Sequence, residues 1–251
     1  MSNRRRAASL VALACALAAC SGGSGSSEST ARRAITVFAA ASLTDAFEQI
    51  ATGFGRTTGG TDVEFNFLAS SDLAAQIIEG APADVFASAD EASMARVIDE
   101  GIAAEPVVFA ENRLSLAVPA GNPGDVESLD DLEDPDLVVA LCNEDCPAGR
   151  YAIEVFERAG VAVEPDSLEA DVRGVLTRVG LGEADAGVVY ATDIAADPDV
   201  EGVDIPDEIN IVTTYPIATL EDAPDEASEF IGYVRSEPGK RILTDYGFGV
   251  P

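Results

Sequence analysis

The stretch ITVFAAASLTDAFEQIATGF, residues 35–54, decides the class of fold. Its first six residues are an apolar run of β-branched and small side chains, and its last twelve place Leu43, Phe47, Ile50 and Phe54 at helical spacing. A strand, a short polar turn and an amphipathic helix follow one another within twenty residues. The same alternation recurs downstream. Strands are expected at Asp62–Phe67, Asp84–Ser88, Leu114–Pro119, Leu137–Leu141, Gly187–Tyr190, Ile209–Thr213 and Pro216–Leu220. Helices are expected at Leu73–Glu79, Glu91–Asp99, Arg150–Ala159, Val172–Val179 and Ala223–Arg235. Strands alternating with helices predict an α/β fold with largely parallel sheets flanked by helices.

The length of 251 residues and a 47% hydrophobic composition allow one large core or two modest ones. With 45 acidic and 15 basic residues, a net charge of −30 repels nucleic acid and anionic lipid. A nucleic-acid role is therefore not expected. The chain has no histidine and a single lysine, Lys240. The usual general base and the usual activator of a serine or cysteine nucleophile are missing, so a binding function is expected rather than an enzyme, and no cofactor.

The N-terminus opens with Arg4, Arg5 and Arg6 and an apolar run to Ala19, then Cys20. Residues 1–19 are expected to be a signal peptide, since the run falls short of the roughly 20 residues that span a bilayer. The small residues before Cys20 resemble a lipobox, which predicts lipidation of Cys20 and an exported lipoprotein at the cell surface or in the periplasm. Residues 20–33 read as the lipidated cysteine and a Gly/Ser-rich tether. Cys142 and Cys146 then remain in the folded part, where an oxidising compartment predicts a disulfide. A redox-active pair is the alternative; the acids Glu144 and Asp145 between them argue against a lowered thiol pKa.

Four segments share one grammar, in which a strand or loop ends at small or polar residues and a helix begins. Such starts present free backbone N–H groups to an anion. They are Ser42 before Asp45, the pair Ser70 and Ser71, Ala148 and Gly149 after Pro147, and Asp171 before Val172. Each alone reads equally as an ordinary helix cap. Tyr190 adds a hydroxyl at a strand's carboxyl end, where open α/β sheets bind ligands.

AAASLTDAF at 39–47, GAPADVFASAD at 80–90, CPAGRYA at 146–152, DVRGVLTRVGLGEADAGVVYATD at 171–193 and DYGFGV at 245–250 together resemble the molybdate-binding proteins of ABC transporters. That resemblance implies a two-lobed, type II periplasmic-binding-protein fold with the ligand in the interlobe cleft. It implies lobe 1 at residues 34–113 plus 206–251 and lobe 2 at 114–205, and a monomer that meets a membrane permease. It also implies a ligand set of Ser42, Ser70, Ala148, Val172 and Tyr190, with Ser71 as the register alternative to Ser70. The expected ligand is molybdate or tungstate, with sulfate or another tetrahedral oxyanion as the alternative.

Overall fold

The computed structural model describes residues 34–251. The expected signal peptide, Cys20 and the tether lie outside the described residues. Among the described residues, nine strands form one mixed sheet in the order β2-β1-β3-β9-β4-β7-β5-β6, with β8 paired to β4. They are β1 (Ile35–Ala40), β2 (Val63–Leu68), β3 (Val85–Ala87), β4 (Val107–Pro119), β5 (Val139–Cys142), β6 (Ser167–Glu169), β7 (Ala186–Tyr190), β8 (Val200–Val203) and β9 (Val212–Thr219).

Parallel ladders join β2-β1-β3 at one end and β7-β5-β6 at the other. The antiparallel ladders all involve β9 and β4 between them. Strand β4 serves both halves of the sheet. Its first half, to Arg113, pairs with β9 down to Val212, and from Leu114 onward it pairs with β7 and β8. The returning chain is pinned at the same point, because the Asn210 side chain accepts from the Leu114 N–H and donates to the Leu114 carbonyl.

Strand period 2 distributes the first lobe's core over two faces. Val37 and Ala39 of β1, with Val85 and Ala87 of β3, pack with Phe47 and Phe54 of α1 (Thr44–Thr57), Phe230 of α7 (Asp225–Val234) and Leu243 of α8 (Glu237–Asp245). Phe38 and Phe86, one residue along, face Leu73 and Ile77 of α2 (Ser70–Ile78) and Met94 of α3 (Glu91–Asp99). In the second lobe, α4 (Pro147–Ala159) and α5 (Val172–Gly180) bury Val155, Phe156, Val175 and Val179 with Val139, Leu141 and Val188. A short α6 (Ala191–Ala196) follows β7 directly. Among the described residues, no helix is long and apolar enough to cross a membrane.

Where strands differ from the sequence reading, polar residues and proline are the cause. Glu111, Asn112 and Arg113 interrupt the apolar run, yet lie inside β4, which begins at Val107 rather than Leu114. Pro216 splits two expected strands that form the single β9. A proline lacks the N–H for a ladder bond. The sheet answers with a bulge, since Val108 opposes Pro216 and Ala110 opposes Tyr215, leaving Phe109 as the extra residue.

Candidate functional site

A small cavity lies where the carboxyl ends of β1, β2 and β7 meet the starts of α2, α4 and α5. It is lined by Ser42, Ser70, Ala89, Cys146, Ala148, Asp171, Val172 and Tyr190, with Ala40, Ala41, Leu68, Ala69 and Pro147 between them. The atom-free space there is about 210 Å3, part of it open to solvent. Five of the six expected ligand positions thus converge from sequence separations of up to 148 residues (190 − 42). Ser71 does not; it lies over a neighbouring surface depression with Ser93, Arg96 and Arg150.

Each hydroxyl is held differently from a helix cap. Ser42 sits in a 3-10 turn, Ala41–Leu43, ahead of α1, whose N-cap is Leu43 and has no side-chain cap bond. Its Oγ instead lies 3.0 Å from the Tyr215 hydroxyl. Ser70 is the first residue of α2, and its Oγ accepts from the Ala89 N–H at 2.9 Å. With that lone pair engaged, the Ser70 hydrogen is free to turn into the cavity. The Tyr190 hydroxyl is buried and meets no protein partner. Burial, first of several causes, pushes its pKa well above the usual phenol value, so it stays a neutral donor.

The two helix starts contribute amides. Pro147 occupies the first turn of α4, where the missing N–H costs nothing, and Ala148 follows it. Gly149 allows this turn to close, because a Cβ there would stand 2.0 Å from the Asn143 carbonyl oxygen and 2.7 Å from that of Cys142. In α5, Asp171 is the N-cap and accepts from the Gly174 N–H at 3.0 Å, which leaves the Val172 N–H without a helical acceptor. Among the described residues, no lysine or arginine lines the cavity.

The expected disulfide is not formed: Cys142 and Cys146 are both free thiols and both buried. Their titrations are linked instead. Cys146 has a lowered pKa, first because Cys142 donates to it and then because the Gly149 and Ala148 amides point at its sulfur, against the cost of burial. The same pairing, with burial, raises Cys142.

Two ion pairs beside the cavity join residues far apart in the chain. Arg150 of α4 pairs with the buried Asp90, the N-cap of α3, rather than standing in solvent. Arg173 of α5 meets Asp45 of α1 at 2.9 Å and approaches Asp193 at 3.9 Å. Nothing local in the sequence marks these partners.

Asp193 is buried beneath Tyr190, and its carboxylate accepts the Tyr190 N–H at 3.1 Å. Burial pushes its pKa up to about 7, although the Tyr190 N–H and Arg173 draw it back. The folded protein thus holds this proton more tightly than the unfolded chain does at the ordinary value of 3.8. Its contribution to stability is complete below that value, is lost as pH rises to about 7, and is flat above. Asp193→Asn is expected to remove this slope, which is up to about 1.4 kcal/mol per pH unit. Thermal denaturation of both proteins from pH 4 to 8 checks it, and parallel curves would refute the assignment.

The model of a family described as bacterial extracellular solute-binding protein matches residues 35–249. The chain belongs to this family. Among relatives of this solute-binding protein is the molybdate-binding protein ModA of Mycobacterium tuberculosis H37Rv, 40% identical over 223 residues, covering 87% of this chain and 85% of the relative. That of Escherichia coli K12 is 34% identical over 232 residues and covers 86% and 89%. Among solved structures, the periplasmic molybdate-binding protein of Azotobacter vinelandii superposes with a TM-score of 0.77 at 22% identity, over 86% of this chain and 99% of that one. The sulfate-binding protein SubI of Mycobacterium tuberculosis H37Rv shares the fold, with a TM-score of 0.72 at 18% identity, over 86% of each chain. The solute-binding protein thus has the two-lobed α/β fold of periplasmic binding proteins, and its relatives are binding components rather than enzymes.

Proposed function

We propose that this protein is the extracytoplasmic binding component of an ABC transporter and that it carries molybdate, or the isostructural tungstate, to a membrane permease. The observation that carries the reading is the convergence of the Ser42, Ser70 and Tyr190 hydroxyls with the Ala148 and Val172 amides on one cavity without a cation. A dianion with four oxygens accepts only, and neutral donors fixed by the fold compensate its charge without burying an arginine or lysine. Relatives named as molybdate-binding proteins over most of the chain support the choice of ion.

In this reading lobe 1 comprises residues 34–113 and 206–251, lobe 2 comprises 114–205, and the Arg150–Asp90 and Arg173–Asp45 pairs latch them on either side of the ion. The protein acts as a monomer, is exported by residues 1–19 and is held at the membrane by lipid on Cys20, with residues 21–33 as its tether. Calorimetry with molybdate, tungstate, sulfate and phosphate tests the proposal. Tight binding of molybdate and tungstate is expected, and at least a tenfold loss in Ser42→Ala and Ser70→Ala, the value of one or two hydrogen bonds to a charged partner. Binding of sulfate alone would overturn the choice of ligand.

A further inference from the structure

We propose that Cys142 and Cys146 form a reversible oxidation site, a dithiol that hydrogen peroxide closes to a disulfide, and that closing it strengthens anion binding in the adjoining cavity. The oxidation site is read from the two cysteines themselves; the effect on binding rests on the oxyanion reading of the cavity.

The two residues sit where the chain passes from β5 to α4. Cys142 is the last residue of β5 and Cys146 is the N-cap of α4, with Asn143, Glu144 and Asp145 between them. Both are free thiols and both are buried. Each is the foremost influence on the other's ionisation, which places the two sulfurs side by side. Cys146 also lines the cavity, part of which is open to solvent. A small neutral oxidant can therefore reach Cys146 through the cavity, with Cys142 at hand to complete a bond.

The chemistry closes in two steps. The Cys146 sulfur attacks one oxygen of hydrogen peroxide, the O–O bond breaks, hydroxide leaves with the thiol proton as water, and Cys146 becomes a sulfenic acid. The Cys142 sulfur then attacks that of Cys146, the S–O bond breaks, the S–S bond forms, and a second water leaves with the Cys142 proton. The thiols lose two electrons, and the peroxide is reduced to two waters.

The consequence for the ligand follows from the contacts of the Cys146 sulfur. The Ala148 and Gly149 amides point at it. Ala148 is the α4 residue proposed to hold the ion, so the reduced sulfur and the ligand compete for one N–H. A disulfide sulfur carries neither a proton nor a charge and accepts only weakly. Oxidation therefore releases the Ala148 amide to the ligand. The loop itself is held without the sulfurs: the Asn143 N–H donates to the Glu169 carbonyl at 2.9 Å, and the Cys146 N–H donates to Asn143 Oδ1 at 3.1 Å. It stays in place as the sulfurs join.

The test is calorimetry of the full chain with molybdate, first reduced and freed of reductant, then after hydrogen peroxide and desalting. Tryptic digestion without reductant reads the bond directly, because residues 114–150 form one peptide that holds both cysteines. Peroxide is expected to make that peptide lighter by two hydrogens and to tighten molybdate binding about tenfold, the value of one hydrogen bond to a charged ligand. Renewed reduction is expected to reverse both changes. Cys146→Ala removes the competing sulfur and no cap bond, since Cys146 makes none with its side chain. That variant is expected to match the affinity of the oxidised wild type and to ignore peroxide. A 114–150 peptide of unchanged mass, or one that gains oxygen without the bond, overturns the oxidation site. A disulfide that leaves molybdate affinity unchanged or lower overturns the coupling, as does a folded Cys146→Ala variant with the affinity of the reduced wild type. A protein that binds none of molybdate, tungstate and sulfate in either state overturns the transport reading and the coupling with it, while the peptide mass still decides the oxidation site.

Discussion

Placing proline at position 172 is expected to weaken molybdate binding by about tenfold to a hundredfold while leaving helix α5 folded. Val172 is the first helical residue after the N-cap Asp171, the position where proline's fixed φ suits the helix and its missing N–H breaks no helical bond. Asp171 lies at φ −146° and ψ 173°, the extended geometry that a following proline requires. Its bond from the Gly174 N–H is unaffected. What Val172→Pro deletes is the one N–H of a cavity-lining residue proposed to hold the ligand, and a hydrogen bond to a charged ligand contributes about 1.5–3 kcal/mol. Calorimetry paired with thermal unfolding separates the two effects. Unchanged affinity in a stably folded variant would remove the Val172 amide from the ligand set.

Gly149→Ala is expected to do the opposite and damage both stability and binding. The added methyl would stand 2.0 Å from the Asn143 carbonyl oxygen, 2.7 Å from that of Cys142 and 2.8 Å from the Asn143 carbonyl carbon. All three are backbone atoms that cannot swing aside. Helix α4 must then lift away from the turn that follows β5, carrying the Ala148 amide out of the cavity. Overpacking of this kind costs about 3 kcal/mol, which lowers the melting temperature by roughly 10 °C in a chain of this size. Gly232→Ala in α7 is the matching control, since nothing lies within 4 Å of its Cβ position. That variant is expected to melt at or slightly above wild type, because alanine is the better helix former. Equal melting temperatures for both variants would show that the α4 turn yields more easily than its geometry indicates.

Much of this was legible in the sequence where the signal is local. Helix α3 spans Glu91–Asp99 as the apolar spacing predicts, and β1 spans Ile35–Ala40. Asp171 caps α5 as its place before an apolar periodic run implies. Local pattern fails where a polar residue is satisfied from far away. Asn112 breaks the apolar run of β4, yet it is buried because Thr192 and Tyr215, 80 and 103 residues distant, receive its hydrogens. Strands β6 and β8, with three and four residues, are too short to show alternation. Helix α8 begins Glu237-Pro238-Gly239, which reads as a turn until the Ser236 cap is in place. The convergence of Ser42, Ser70, Ala148, Val172 and Tyr190 was legible only through their order within longer motifs. The contact of Tyr215 with the site carried no sign at all, because its hydroxyl meets that of Ser42, 173 positions earlier.

Strand β4 also governs how the molecule comes apart. Residues Val107 to Arg113 belong to the ladder of one lobe and Leu114 to Pro119 to that of the other, without a break in the chain. Fraying β4 from its start strips hydrogen bonds from β9, and fraying it from its end strips them from β7 and β8, so each half of the sheet ends on a strand whose other half is held elsewhere. The two halves of the sheet are therefore expected to unfold together, with the β4 amides around Arg113 and Leu114 exchanging with solvent through a shared, global opening.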